Sequence, residues 1–209
     1  MVNKKTNLKR GLFFLLLTIV LFSCSNQKIF DSEQELWGFI NDPSNQYKQV
    51  KNINGIDFSL LYKPTDVLVA QELGGIKSDS LVNVLREKYG EYMYFNLSMS
   101  RGGKELLSTE PKNKNEFGAM VNQLAFGMEE KVHVYNSKKD TLELVDYVYP
   151  RMYGMSNSTN MLFVYPRDEK ILQEENINFT VGDLGSFTGE VKFKIPIVTI
   201  NKNIKIKFK

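Results

Sequence analysis

Between residues 55 and 62 apolar and polar side chains alternate, with Ile56, Phe58 and Leu60 on one face and Asp57, Ser59 and Leu61 on the other. This period of two predicts a strand, ended by Pro64. It recurs over 92–100, where Met93, Phe95, Leu97 and Met99 alternate with Tyr92, Tyr94, Asn96 and Ser98, and Arg101-Gly102-Gly103-Lys104 then reads as a tight turn. Helical spacing predicts two helices. One spans 79–89, with Ser78 as cap, Leu81, Val82 and Leu85 as its stripe and Gly90 at its exit; the other spans 116–126, with Phe117, Met120, Val121 and Leu124 in a stripe and Gly127 as stop. Leu36, Trp37, Phe39 and Ile40 suggest a turn or two of helix closed by Asn41-Asp42-Pro43. Residues 66–73 suit a helix or a strand equally.

Residues 129–149 read as a hairpin, with Val132 and Val134 before a loop at 136–140 and Leu142, Leu144 and Val148 after it. Short strands are expected at 161–165, 177–181, 189–195 and 204–208. The pattern predicts an α+β, mainly β fold: an antiparallel sheet or sandwich with two helices inserted in the first half. One globular domain over 36–209 is expected, preceded by a polar, acidic tether at 24–35.

Ahead of that tether, Lys4, Lys5, Lys9 and Arg10 precede an apolar run over 12–22, followed by Leu21-Phe22-Ser23-Cys24. The run is too short to cross ~30 Å of hydrocarbon, which needs roughly 20 residues. It has the form of an export signal. With leucine three before the only cysteine and a small residue directly before it, the segment resembles the lipobox of bacterial lipoproteins. The resemblance implies acylation of Cys24, removal of residues 1–23 and anchoring through acyl chains. Ser25, where aspartate would mark inner-membrane retention, implies the outer membrane. The acidic stretch after it resembles surface-export signals of Bacteroidota lipoproteins.

The whole chain holds 27 basic and 24 acidic residues, but four basic ones lie in the signal, leaving 23 against 24 and a net charge of −1. Nucleic acid is therefore not an expected partner. With one cysteine in the chain, no intramolecular disulfide can form.

Few residues carry recognisable chemistry. His133 is the only histidine and shares a strand face with Lys131 and Tyr135, away from the apolar side. No histidine-rich metal site is possible, and neither a metal nor a cofactor is expected. Gly102-Gly103-Lys104 lacks the first glycine of a phosphate-binding loop. Glu129-Glu130 and Glu174-Glu175 are adjacent pairs, which on a strand face opposite sides and read as solvated surface. The loop at 182–186 has a single carboxylate, Asp183, too few for calcium.

Two patterns suggest recognition surfaces. Lys192 and Lys194 on one strand and Lys205 and Lys207 on another would form a basic stripe if those strands pair; alternatively they blunt a sheet edge. Tyr147, Tyr149, Tyr153 and Tyr165 would form an aromatic surface for a sugar or protein. Asp79-Ser80-Leu81 and Asp140-Thr141-Leu142 resemble Bacteroidota O-glycosylation sites, implying modification at Ser80 and Thr141. Three functions are open: a non-catalytic envelope lipoprotein docking a protein partner, a glycan- or lipid-binding lipoprotein, and an envelope hydrolase.

Overall fold

The computed structural model describes residues 27–208. In chain order the elements are β1 (Lys28–Phe30), α1 (Glu33–Asn41), β2 (Lys48–Ile53), β3 (Ile56–Lys63), α2 (Thr65–Leu73), α3 (Asp79–Gly90), β4 (Tyr92–Arg101), α4 (Leu106–Thr109), α5 (Lys114–Phe126), β5 (Val132–Asn136), β6 (Thr141–Leu142), β7 (Asp146–Val148), β8 (Thr159–Pro166), β9 (Asn176–Val181), β10 (Val191–Pro196), α6 (Ile197–Asn201) and β11 (Ile204–Ile206). The fold is α+β and mainly β. Its two larger sheets are antiparallel, in the orders β2-β3-β4-β8-β7 and β10-β9-β5-β6, and a short parallel pair joins β1 to β11.

The two larger sheets face one another because each strand presents alternate residues inward. Met93, Phe95, Leu97 and Met99 of β4 are buried, as are Met161, Phe163 and Tyr165 of β8. Opposite them, Phe179 of β9 lies 5.4 Å from Phe95, 5.8 Å from Phe163 and 6.4 Å from Tyr165, ring centre to ring centre. The tilted and edge-on angles are those preferred by aromatic quadrupoles. The sheets also meet along one side, where the Gln49 side chain of edge strand β2 donates to the Lys194 carbonyl of edge strand β10.

Helix α3 starts where its sequence signals: Ser78 Oγ accepts the Leu81 N–H, and Val82 and Leu85 are buried. Residues 65–73 prove helical, since Val67, Val69 and Leu73 are buried together while Gln71 and Glu72 reach solvent. Val69 and Leu73 pack with Val82 and Leu85 of α3 in a satellite core.

Within the tether expected at 24–35, residues 28–30 form a strand and 33–35 open a helix. Lys28, Ile29 and Phe30 pair in register with Ile204, Lys205 and Ile206, and Phe30 packs 5.2 Å from Phe39. Ser32 then caps α1 through the Glu35 N–H. One buried aromatic and a borrowed edge suffice to order this polar segment. The expected hairpin over 129–149 is also divided. Asn136 builds its turn by accepting the Lys138 and Asp140 N–H groups, pairing β5 with β6, but β7 crosses to the other sheet and carries Val148 onto β8. The described residues hold six α-helices rather than two. In α5 only Leu124 of the predicted stripe is fully buried; Phe117 is exposed.

Candidate functional site

At one end of the five-stranded sheet, the last residues of β3 and β8 and the first of β4 lie side by side, with Lys63 opposite Tyr94 and Tyr92 opposite Pro166. Pro64 stops β3 and leads into α2, whose first turn has no side-chain cap. Arg167 follows β8 directly and its N–H donates to the Glu91 carbonyl. The segment joining α6 to β11 closes the remaining side with Lys202, Asn203, Ile204 and Lys205. These elements enclose a cleft of ≈ 380 Å³ that Arg86, Arg167, Lys202, Lys205, Asp66 and Tyr62 line.

The charges in this cleft are unequal. Asp66 is its one carboxylate and is fully engaged: Arg86 Nε donates to Oδ1 at 2.8 Å, Arg86 Nη2 to Oδ2 at 2.6 Å, and the Ile206 N–H to Oδ2 at 2.7 Å. This hydrogen-bonded pair raises the Arg86 pKa above its ordinary value. Arg167 Nη2 donates to the Tyr62 hydroxyl at 2.9 Å and to the Ile200 carbonyl at 3.0 Å. Burial pushes the Tyr62 phenol up, against the opposing pull of Arg167, so this hydroxyl is neutral and gives the guanidinium no counter-charge. Among the described residues no carboxylate forms an ion pair with Arg167, Lys202 or Lys205. Lys202 lies 5.0 Å above the Phe39 ring. Three uncompensated cations on a partly enclosed wall, one a planar fork of donors, suit a phosphate, sulfate or carboxylate group.

The basic stripe does not form. β10 pairs with β9, and β11 with β1, so Lys192 and Lys194 lie on a different sheet from Lys205 and Lys207. Lys192 and Lys194 project from the outer face of an edge strand, Lys192 5.3 Å above the Tyr135 ring. Lys207 is bound to Asp31. Lys205 alone of the four reaches the cleft.

The tyrosines are also dispersed. Tyr165 is a core residue whose hydroxyl donates to the Val132 carbonyl. Tyr147 stacks on Phe163 at 5.7 Å, Tyr149 is half-buried, and Tyr153 stands in solvent. Ser80 and Thr141 are exposed, His133 is exposed on β5, and Glu129 and Glu130 lie on the surface. Lys138 pairs with Glu174. Asp183 accepts the Gly185 and Ser186 N–H groups, shaping its own loop. Cys24 lies outside the described residues, as do the signal segment and Ser25.

The opposite end of the same sheet has a different character. There Ile56 pairs with Arg101 and Met99 with Thr159, and the loops at 150–158 and 182–190 extend beyond the strands. Tyr153, Met155 and Phe187 are exposed by 80%, 80% and 85%, so these loops end in apolar tips. The tips are fixed: buried Glu105 accepts the Gly154 and Ser156 N–H groups, and Asn54 donates to the Phe187 carbonyl.

Sequence periodicity missed Asp66, Arg86, Arg167 and Lys202. Asp66 and Lys202 are isolated charged residues, Arg86 and Arg167 each open a charged run, and Arg86 and Asp66 come together only when α2 and α3 pack. The usable signal was Asp66 within an otherwise apolar stretch, Val67-Leu68-Val69-Ala70, since a carboxylate so placed needs a partner.

No family model matches the chain, and no curated protein matches it. Among solved structures, a novel protein of unknown function from Burkholderia pseudomallei K96243 aligns with 81% of this chain and 88% of its own, at 11% identity and a TM-score of 0.42. Among the described residues no helix is long and apolar enough to cross a membrane.

Proposed function

We propose that the protein is a non-catalytic, lipid-anchored envelope protein that binds an anionic group. The observation that carries this reading is the cleft at the α2 end of the five-stranded sheet, where Arg167, Lys202 and Lys205 face a ≈ 380 Å³ space whose only carboxylate is spent on Arg86. Half-buried guanidinium and ammonium groups without counter-charges favour anion capture. The anchor rests on the lipobox-like segment ending at Cys24. Expressed in a Gram-negative host, the full chain should fractionate with membranes, and Cys24→Ser should release it. Purified in a non-ionic detergent, the chain should be stabilised against heat by inorganic phosphate or sulfate and not by glycerol. A melting midpoint indifferent to every anion would remove the ligand reading.

A second function, docking of an envelope protein, is favoured by the fixed apolar tips Tyr153, Met155 and Phe187 at the far end of the sheet. Exposed aromatic residues on ordered loops lose little entropy on binding. Crosslinking in intact cells followed by mass spectrometry tests it. One stoichiometric envelope protein, lost on Tyr153→Ser/Phe187→Ser substitution, supports docking; recovery of the chain alone counts against it.

A further inference from the structure

The position of β1 limits how far the cleft can lie from the anchor. Lys28 is the first residue of a strand, and four residue steps separate it from Cys24. A fully extended chain covers at most ~3.6 Å per residue, so the acylated residue would lie within ~14 Å of Lys28. The Lys28 N–H donates to the Asn203 carbonyl at 2.8 Å, and Asn203 lines the cleft. The ammonium of Lys28 lies 3.9 Å from the centre of the Phe39 ring, and that of Lys202 shares the same ring. The start of β1, the basic rim and the cleft thus occupy one end of the molecule, while the apolar tips occupy the other.

Headgroups extend several ångströms beyond the hydrocarbon on each side of a bilayer. A cleft held within a short tether of that layer meets lipid phosphate at a far higher effective concentration than any dissolved anion. The geometry points to the phosphate of a membrane lipid headgroup as the group that enters the cleft, supplied by the bilayer in which the chain itself is anchored. This assignment rests on the lipid-anchored, anion-binding reading above. Arg167 is the residue placed to take phosphate oxygens by planar donation, with Lys202 and Lys205 as flanking point charges. Arg86 is occupied with Asp66 and serves as the wall. The tips then face away from the membrane, where a partner protein would meet them.

The test uses the full chain purified in dodecyl maltoside, with three probes: dihexanoylphosphatidic acid, dihexanoylglycerol and inorganic phosphate. Intact mass first reports whether Cys24 is acylated. Phosphatidic acid at a hundredfold excess over its Kd should raise the unfolding midpoint by roughly 5 °C or more. The diacylglycerol should not, and inorganic phosphate should bind at least tenfold more weakly. Lys202→Ala/Lys205→Ala, which removes no buried side chain and only the Lys202 contact with the Phe39 ring, should weaken phosphatidic acid binding tenfold or more; Arg167→Lys should do so while keeping a cation near Tyr62. Equal response to phosphate and phosphatidic acid would overturn the lipid assignment but leave the anion site. No response to either would overturn both. Selective binding by a chain unmodified at Cys24 would overturn the anchored-bilayer premise alone.

Discussion

Arg86 and Asp66 join α3 to α2 through two parallel N–H donors, and the same carboxylate receives the backbone of β11 through Ile206. One buried side chain therefore fastens three elements. Asp66 is 2% exposed, whereas Arg86 keeps a quarter of its side chain in solvent.

Asp66→Asn should destabilise the fold by about 2–4 kcal/mol, because it removes a charged acceptor and leaves the guanidinium unpaired. Urea unfolding is the measurement. A loss below about 0.5 kcal/mol, the range of ordinary surface changes, would mean that the three-way junction contributes little.

Phe30→Ala should cost about 3 kcal/mol, since it opens a void beside Phe39. Ile29→Ala, on the solvent face of the same short strand, should change stability by less than about 0.5 kcal/mol. Equal effects at the two positions would contradict the register of β1 against β11.

Phe179→Ala should be among the costliest single changes, about 3–5 kcal/mol, because Phe95, Phe163 and Tyr165 all lose the ring they pack against. Near-ultraviolet circular dichroism should weaken with it. A small effect on both would show that the facing sheets do not depend on this contact.

Acid should weaken the junction between Arg101 and Glu110. Burial disfavours the Glu110 carboxylate, but the Arg101 hydrogen bond and charge outweigh it and hold its pKa below the ordinary glutamate value. A folded-state pKa below the unfolded one contributes stability above the unfolded value, and that contribution disappears as pH falls through the folded one. Arg101 is exposed over more than a third of its side chain, so solvent screening keeps the contribution small. Glu110→Gln should make stability between roughly pH 5 and 3 less steep; an unchanged acid slope would show that the pair does not titrate with folding.

The strands that alternate cleanly were legible because one residue in two is buried: 92–100 and 161–165 match β4 and β8 to within a residue or two. Where order depends on a distant partner, local patterning is silent. Lys28-Ile29-Phe30 holds one buried residue and becomes a strand only because Ile204–Ile206 offers an edge. Val148 looks like a continuation of its hairpin, yet the break at 143–145 sends it to another sheet. The cleft was hidden for the same reason. Asp66, Arg86, Arg167 and Lys202 come from four separate stretches of chain, and charge alone does not distinguish them from solvated neighbours. The lysine alternation was visible, but its meaning depended on which strands pair.

The closure of β1 on β11 also sets an order of events during synthesis. Lys207 reaches Asp31 across 176 residues of sequence, and β11 lies near the end of the same span. A chain made from its amino terminus onward must keep β1 unpaired until β11 has emerged, and a contact so distant in sequence forms slowly. Until then Phe30 lacks the neighbouring strand that orders it. The final latch of the fold is thus β1, the earliest of the described strands to be made.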